Sequence, residues 1–159
     1  MEAARLALFG AAVIASLSTL ACADSSVHTA TYATLAEARQ AGAIDKGWVP
    51  GELPGQAYEL RAAYDLDDAN RRWGLFNFRA EDHDALRAIL APGDVSIAGV
   101  VMDIPPRIEW WPVQLRGRLD EERILATGLQ AHRSRDGSLI FLVNWKQGRG
   151  YYWRSAGGG

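Results

Sequence analysis

The chain has 159 residues, a net charge of -2 and a hydrophobic fraction of 48%. That length holds one domain with a single core, and the apolar content excludes a largely disordered chain. The near-neutral charge excludes the global basic field used to hold nucleic acid, so no nucleic-acid partner is expected.

Residues 6–20 form an apolar run behind Arg5 and end at small residues and Cys22, the sole cysteine. About 15 apolar residues is short for a membrane span and matches the core of a secretory signal. Three processing readings stay open. In the first, Cys22 follows the small Ala21 and becomes the lipidated N-terminus of a bacterial lipoprotein, because a thiol is the nucleophile that accepts diacylglycerol. Thr19 stands where such sites usually carry leucine. In the second, Ala21-Cys22-Ala23 is a small-x-small cleavage site and the mature chain starts at Asp24. In the third, the run stays as an uncleaved anchor. The expected organisation is a signal over 1–22, a tether over 23–30, a single globular domain over 31–154 and a disordered tail over 155–159. With no cysteine pair the domain must hold its fold without an internal disulfide.

Residues 27–32 are β-branched and threonine-rich, the composition of an edge strand. Thr34-Leu35-Ala36-Glu37 fits a capping box, predicting a helix from Thr34 to about Ala41 that stops at Gly42. Residues 43–55 are a Gly- and Pro-rich loop in which Trp48 is expected to be a buried anchor. Tyr58, Leu60, Ala62 and Tyr64 alternate with more polar positions, as in a strand, although a helical reading competes. A polar turn over 65–70 and a strand over 72–78 complete a hairpin. Residues 81–90 predict a second helix with acidic residues in its first turn, where the helix dipole favours them. Pro105, Pro106 and Pro112 punctuate the stretch carrying Trp110-Trp111, and residues 120–125 predict a short helix. Strands over 127–133 and 139–145 flank Asp136-Gly137, a strong hairpin signal, and a last strand covers 151–154. The expected fold is α+β, an antiparallel sheet of about five or six strands with two main helices packed on one face.

Signatures of catalysis are lacking. There is no Gly-x-Ser-x-Gly elbow, and His28, His83 and His132 lie far apart with no HExxH pattern. Asp65-Leu66-Asp67-Asp68-Ala69-Asn70 superficially resembles a calcium loop, but Asn70 stands where glycine is needed and Phe76 where glutamate is needed. A solvated turn with Asp and Asn bonding local amides, and Asp65 pairing with Arg71 or Arg72, accounts for it. Glu52, Glu59 and Glu109 are the carboxylates available for glycoside cleavage, without a motif to join them. No catalytic residue, metal or cofactor is therefore assigned. Six tryptophans is the unusual number for a domain this small. Trp48, Trp73 and Trp153 are expected mainly in the core. Trp and Arg are enriched at binding hot spots, which makes Arg107, Trp110, Trp111, Tyr151 and Arg154 the candidate ligand-binding residues. One of Trp110 and Trp111 should be partly exposed, because adjacent extended residues face opposite ways.

Tyr32-Ala33-Thr34-Leu35-Ala36-Glu37-Ala38, Gly42-Ala43-Ile44, Gly47-Trp48-Val49-Pro50, Leu53-Pro54, Ala57 and Leu60 come in series. Tyr64-Asp65-Leu66-Asp67, Asn70, Trp73 and Phe76-Asn77-Phe78 follow. This order resembles the YbbD-head-like family of small bacterial envelope proteins, many of which look like lipoproteins. The resemblance covers residues 31–78. It implies a compact α+β domain and an envelope location, and it supplies no reaction from which catalytic residues can be carried over. The expected role is a non-catalytic envelope module that binds a protein or cell-wall component and attaches to the membrane through a lipid on Cys22, or is soluble in the periplasm or secreted. A small hydrolase of envelope glycans or peptides, and an inhibitor or immunity-type protein, remain the alternatives.

Overall fold

The structure is a computed structural model and describes residues 26–154. The expectations for the signal, Cys22, the start of the tether and the tail fall outside the described residues. Eight strands and three α-helices run in the order β1 (Val27–Thr34), α1 (Leu35–Gln40), β2 (Tyr58–Asp65), β3 (Arg72–Asn77), α2 (His83–Ile89), β4 (Val101–Met102), β5 (Gly117–Arg118), α3 (Glu121–Ala126), β6 (Gln130–Arg133), β7 (Leu139–Asn144) and β8 (Arg149–Arg154). The folded structure thus takes in residues 27–30 as the start of β1.

Six strands form one antiparallel sheet in the order β1-β2-β3-β8-β7-β6, and β4 and β5 form a separate two-stranded ribbon. The two hairpins expected from the sequence are both present. In the β2–β3 turn the Asp65 and Asp68 carboxylates accept from the Asp67 and Asn70 amides at 3.0 and 2.8 Å, and Asp65 pairs with Arg71 at 2.9 Å. Chain reversal there is therefore fixed by side chains bonding their own loop. In the β6–β7 turn the Asp136 carboxylate accepts from the Ser134 hydroxyl and from the Ser138 amide and hydroxyl, and these bonds hold its pKa below the usual carboxylate value.

The start of α1 follows from its cap. Thr34 Oγ1 accepts from the Glu37 amide at 3.2 Å, while Glu37 reaches back to the Ala33 amide at 2.6 Å, one residue earlier than a standard capping box. Gly42, at φ 74°, ends the helix as the Ala43 amide bonds Ala38 O at 3.0 Å.

Alternate residues of the central strands feed two cores, one on each face of the sheet. Leu60, Ala62, Phe76, Phe141, Val143 and Tyr152 join Leu35 and Ala38 of α1, Leu86 of α2 and Val49, Leu53 and Ala57 of the loop between α1 and β2. Ala63, Trp73, Leu75, Ile140, Leu142, Tyr151 and Trp153 join a second core, covered by Ile97, Met102, Ile108, Trp111, Leu115, Leu119 and Ile124. This arrangement corrects the expectation of two main helices on one face. α1 and α2 do share a core, but they span only six and seven residues. Gly42 cuts the first short. The predicted first turn of the second is instead a 3-10 turn, Ala80–Asp82, in which the Asp82 carboxylate bonds the Arg79 amide at 3.1 Å. The molecule is mostly sheet, and the opposite face is covered by largely irregular chain that Pro105, Pro106 and Pro112 keep from pairing as long strands. No helix among the described residues is long and apolar enough to cross a membrane.

Candidate functional site

One end of the sheet gathers positions that are far apart in sequence. β1 starts there and β2 ends, with Val27 opposite Asp65. β3 starts there with Arg72 opposite Tyr64, β8 ends there with Arg154 opposite Leu139, and β6 ends there with Arg133 opposite Ile140. The register therefore collects Arg71, Arg72, Arg133 and Arg154, and all four line a single cleft of about 460 Å³. Trp73 and Trp153 stand in its wall, facing Val101, Met102 and Asp103. Asp103 is the one carboxylate in the lining.

The arginines are held differently. Arg71 bridges Asp65 at 2.9 Å and lies 3.8 Å from Asp103. The Asp67 amide first, and Ser26 and Arg71 after it, keep the Asp65 carboxyl below its usual pKa against the opposing effect of burial. Arg72 donates from Nε to Ala69 O at 3.1 Å and from Nη1 to Gly47 O, which ties β3 to the loop after α1. Burial and then the neighbouring charge of Arg154 push its pKa down. On the opposite face Arg72 also lines a second cleft, of about 480 Å³, with Ile44, Val49, Pro50, Ile89, Leu139 and Tyr152 in its largely apolar wall. The Tyr152 hydroxyl spans from β8 to donate to Trp48 O at 3.0 Å, and burial raises its pKa.

Beside these clefts Trp48 stacks on Tyr64 with ring centroids 3.7 Å apart and an interplanar angle of 7°. Lys46 Nζ sits over the Trp48 ring, 4.5 Å from its centroid, and His28 stacks on Tyr64 at 6.1 Å. Trp48 is half-buried, whereas its neighbour Val49 is 1% exposed and supplies the plug into the core. The anchor expected at Trp48 is thus shared between the two residues.

The five residues expected to form a binding patch divide into two groups. Trp110, Trp111 and Tyr151 make a chain of edge-on ring contacts, with centroids 5.9 and 5.8 Å apart. Trp111 is 1% exposed and donates from Nε1 to Leu115 O at 2.8 Å, and Tyr151 is 9% exposed. Trp110 is half-buried, and the exposed Arg107 donates to Val27 O at 2.7 Å. A ligand arriving at this surface meets Arg107 and Trp110 rather than the two enclosed rings. Arg154 stands apart, in the arginine-lined cleft. Sequence reasoning did not find its companions Arg71, Arg72 and Arg133. Strand-end arginines are unremarkable in a sequence, and only the β3–β8–β7–β6 pairing unites these.

The histidines are also separated. His28 is in the aromatic stack, whereas His83 and His132 both pack edge-on against Trp145, at 5.3 and 5.9 Å. Burial depresses the His132 pKa, and its Nε2 has no hydrogen-bond partner among the described residues. Glu59, at φ 49° in the β2 bulge, accepts from Asn77 Nδ2 at 2.8 Å, and Asn77 Oδ1 accepts from Arg149 at 2.9 Å. This network engages Glu59 in holding the irregular strand. Among the described residues no group of three or more His, Cys, Asp or Glu is placed to hold a metal.

No curated protein and no solved structure matches the chain. Residues 27–77 match the family model of the YbbD head domain. The match begins with β1 and runs to the end of β3, taking in Arg71 and Arg72 and leaving Arg154 and the second core's covering segment outside it. Over β1, α1, β2 and β3 the chain is similar to the YbbD head domain.

Proposed function

We propose that this protein is a non-catalytic module of the bacterial envelope, attached through a lipid on Cys22, that binds a protein or cell-wall component at the arginine-rich end of its sheet. The observation that carries the binding reading is the cleft lined by four arginines, one aspartate and two tryptophans. Arginine and tryptophan together are the side chains that most often dominate recognition surfaces. The YbbD head match supports association with the envelope. Anchoring follows from the sole cysteine at the end of the apolar run, and three acyl chains would bury dozens of methylenes at about 0.8 kcal/mol each.

The test has two arms. Cys22→Ser is expected to move the protein from the membrane fraction to the soluble fraction, or to leave an unprocessed precursor. Wild-type protein that never takes up a fatty-acid label would refute the anchor. In the second arm, the wild type and Arg154→Gln are used for affinity capture from envelope extract. A component held by the wild type and lost by a stably folded Arg154→Gln supports the cleft. Equal capture by both places recognition elsewhere, with Arg107 and Trp110 the next residues to change.

A further inference from the structure

We propose that Arg72 and Arg154 together form a binding site for a phosphate group, which rests on the reading that this end of the sheet binds a ligand and gives that ligand a chemical class. β3 and β8 pair antiparallel with Trp73 opposite Trp153, so the next positions outward set Arg72 against Arg154. Like charges directly opposed on neighbouring strands destabilise the pair. Burial first, and then the charge of Arg154, hold the Arg72 pKa below its usual value. Among the described residues no carboxylate bonds or pairs with either guanidinium. The one aspartate in the cleft, Asp103, already lies 3.8 Å from Arg71. An anion entering between the two arginines would therefore turn a repulsion into two attractions.

The geometry favours phosphate among anions. Arg72 is oriented beforehand by bonds from Nε to Ala69 O and from Nη1 to Gly47 O, so its remaining Nη donors lose little freedom when a ligand arrives. A phosphate offers enough acceptor oxygens to engage two guanidinium forks at once, whereas a carboxylate offers two oxygens and a single charge. The cleft of about 460 Å³ that both arginines border leaves room for the organic part of an ester. The phosphate can come from a phospholipid headgroup or from a soluble ester. β1 starts at this same end, so the segment leading back to Cys22 joins the domain beside the cleft.

The experiment uses the full chain in detergent and follows its thermal midpoint. Inorganic phosphate and glycerol 3-phosphate, compared with sodium chloride at matched ionic strength, should each raise the wild-type midpoint by about 4 °C or more near saturation. Arg154→Gln should be at least as stable as wild type without phosphate, because the like-charge opposition is gone, and should lose the phosphate-dependent rise. Arg154→Lys, which keeps the charge without the fork, should recover only part of it. A rise of equal size in wild type and Arg154→Gln overturns the site, as does no rise in wild type. Two vesicle arms, phosphatidylglycerol and phosphatidylcholine, identify the source. Arg154-dependent binding to the first alone supports a headgroup, and a phosphate rise without vesicle binding supports a soluble ester. Should the rise be absent while Arg154→Gln still abolishes envelope capture, the binding reading stands and the phosphate assignment falls.

Discussion

Two glycines show how closely the centre of the sheet is fitted. Gly74 on β3 faces Tyr152 on β8, and two residues along the same strands Phe76 faces Gly150. A Cβ at Gly74 would lie 1.9 Å from Tyr152 Cζ, and one at Gly150 would lie 2.3 Å from Phe76 Cζ. Each ring lies across the glycine opposite it, so the two aromatics pack flat on the sheet while shielding backbone that lacks a side chain. Tyr152 cannot swing aside freely, because its hydroxyl is bonded to Trp48 O and its ring is held among Phe76 and Phe141. Gly74→Ala is therefore expected to destabilise the protein by about 3 kcal/mol, at the upper end of the usual overpacking cost. Urea unfolding measures this, and a loss below about 1 kcal/mol would show that the Tyr152 ring relocates easily. The sequence placed Gly74 inside a strand but gave no reason for it. Its reason is a partner on β8, and that pairing is not encoded near either residue.

The loop between α1 and β2 is an element without regular structure that still has a definite hold on the core. Val49 and Leu53 are 1% and 3% exposed, Ala57 is fully enclosed, and Trp48 lies flat on Tyr64 at the rim. The loop was legible as a pinned segment because tryptophan between glycine and proline is poorly suited to free solvent. Which residue enters the core was not legible, since that depends on where the chain turns at Gly47, at φ 69°. Trp48→Ala is expected to cost about 1.5 kcal/mol, the scale of a lost aromatic stack, and Leu53→Ala about 3 kcal/mol, the scale of a truncated core leucine. Denaturant midpoints of the two variants provide the check. A Trp48→Ala loss as large as that of Leu53→Ala would make the indole a true core residue.

At the scale of the whole molecule, the sheet is a wall shared by two cores. β3, β7 and β8 each send alternate residues to opposite sides, with Trp73, Ile140 and Trp153 on one and Phe76, Phe141 and Tyr152 on the other. The hairpins, the cap of α1 and the strand periodicity were legible because each is a local matter of side chains bonding nearby amides or alternating in polarity. The six-strand order and the arginine-lined end were not, because they depend on β3 pairing with β8 across most of the domain. The covering segment of the second core was not legible either, as its apolar residues follow neither a helical nor a strand period. Its composition nevertheless ties it to the sheet through Trp111 and Leu115, both buried and joined by an indole-to-carbonyl bond of 2.8 Å. Because the two cores share one set of strands, loss of either should release the other. Leu86→Ala on the helix side and Leu115→Ala on the opposite side are each expected to remove about 2–5 kcal/mol from one common transition. Far-UV circular dichroism reports the sheet, and indole fluorescence, read in a Trp48→Phe, Trp145→Phe background, reports Trp73, Trp111 and Trp153 in the second core with Trp110 packed against them. The two signals should lose amplitude together in both variants. Fluorescence that changes at a lower denaturant concentration than the circular dichroism in Leu115→Ala would show instead that the covering segment detaches from an intact sheet, and that the two sides of the molecule are separable units.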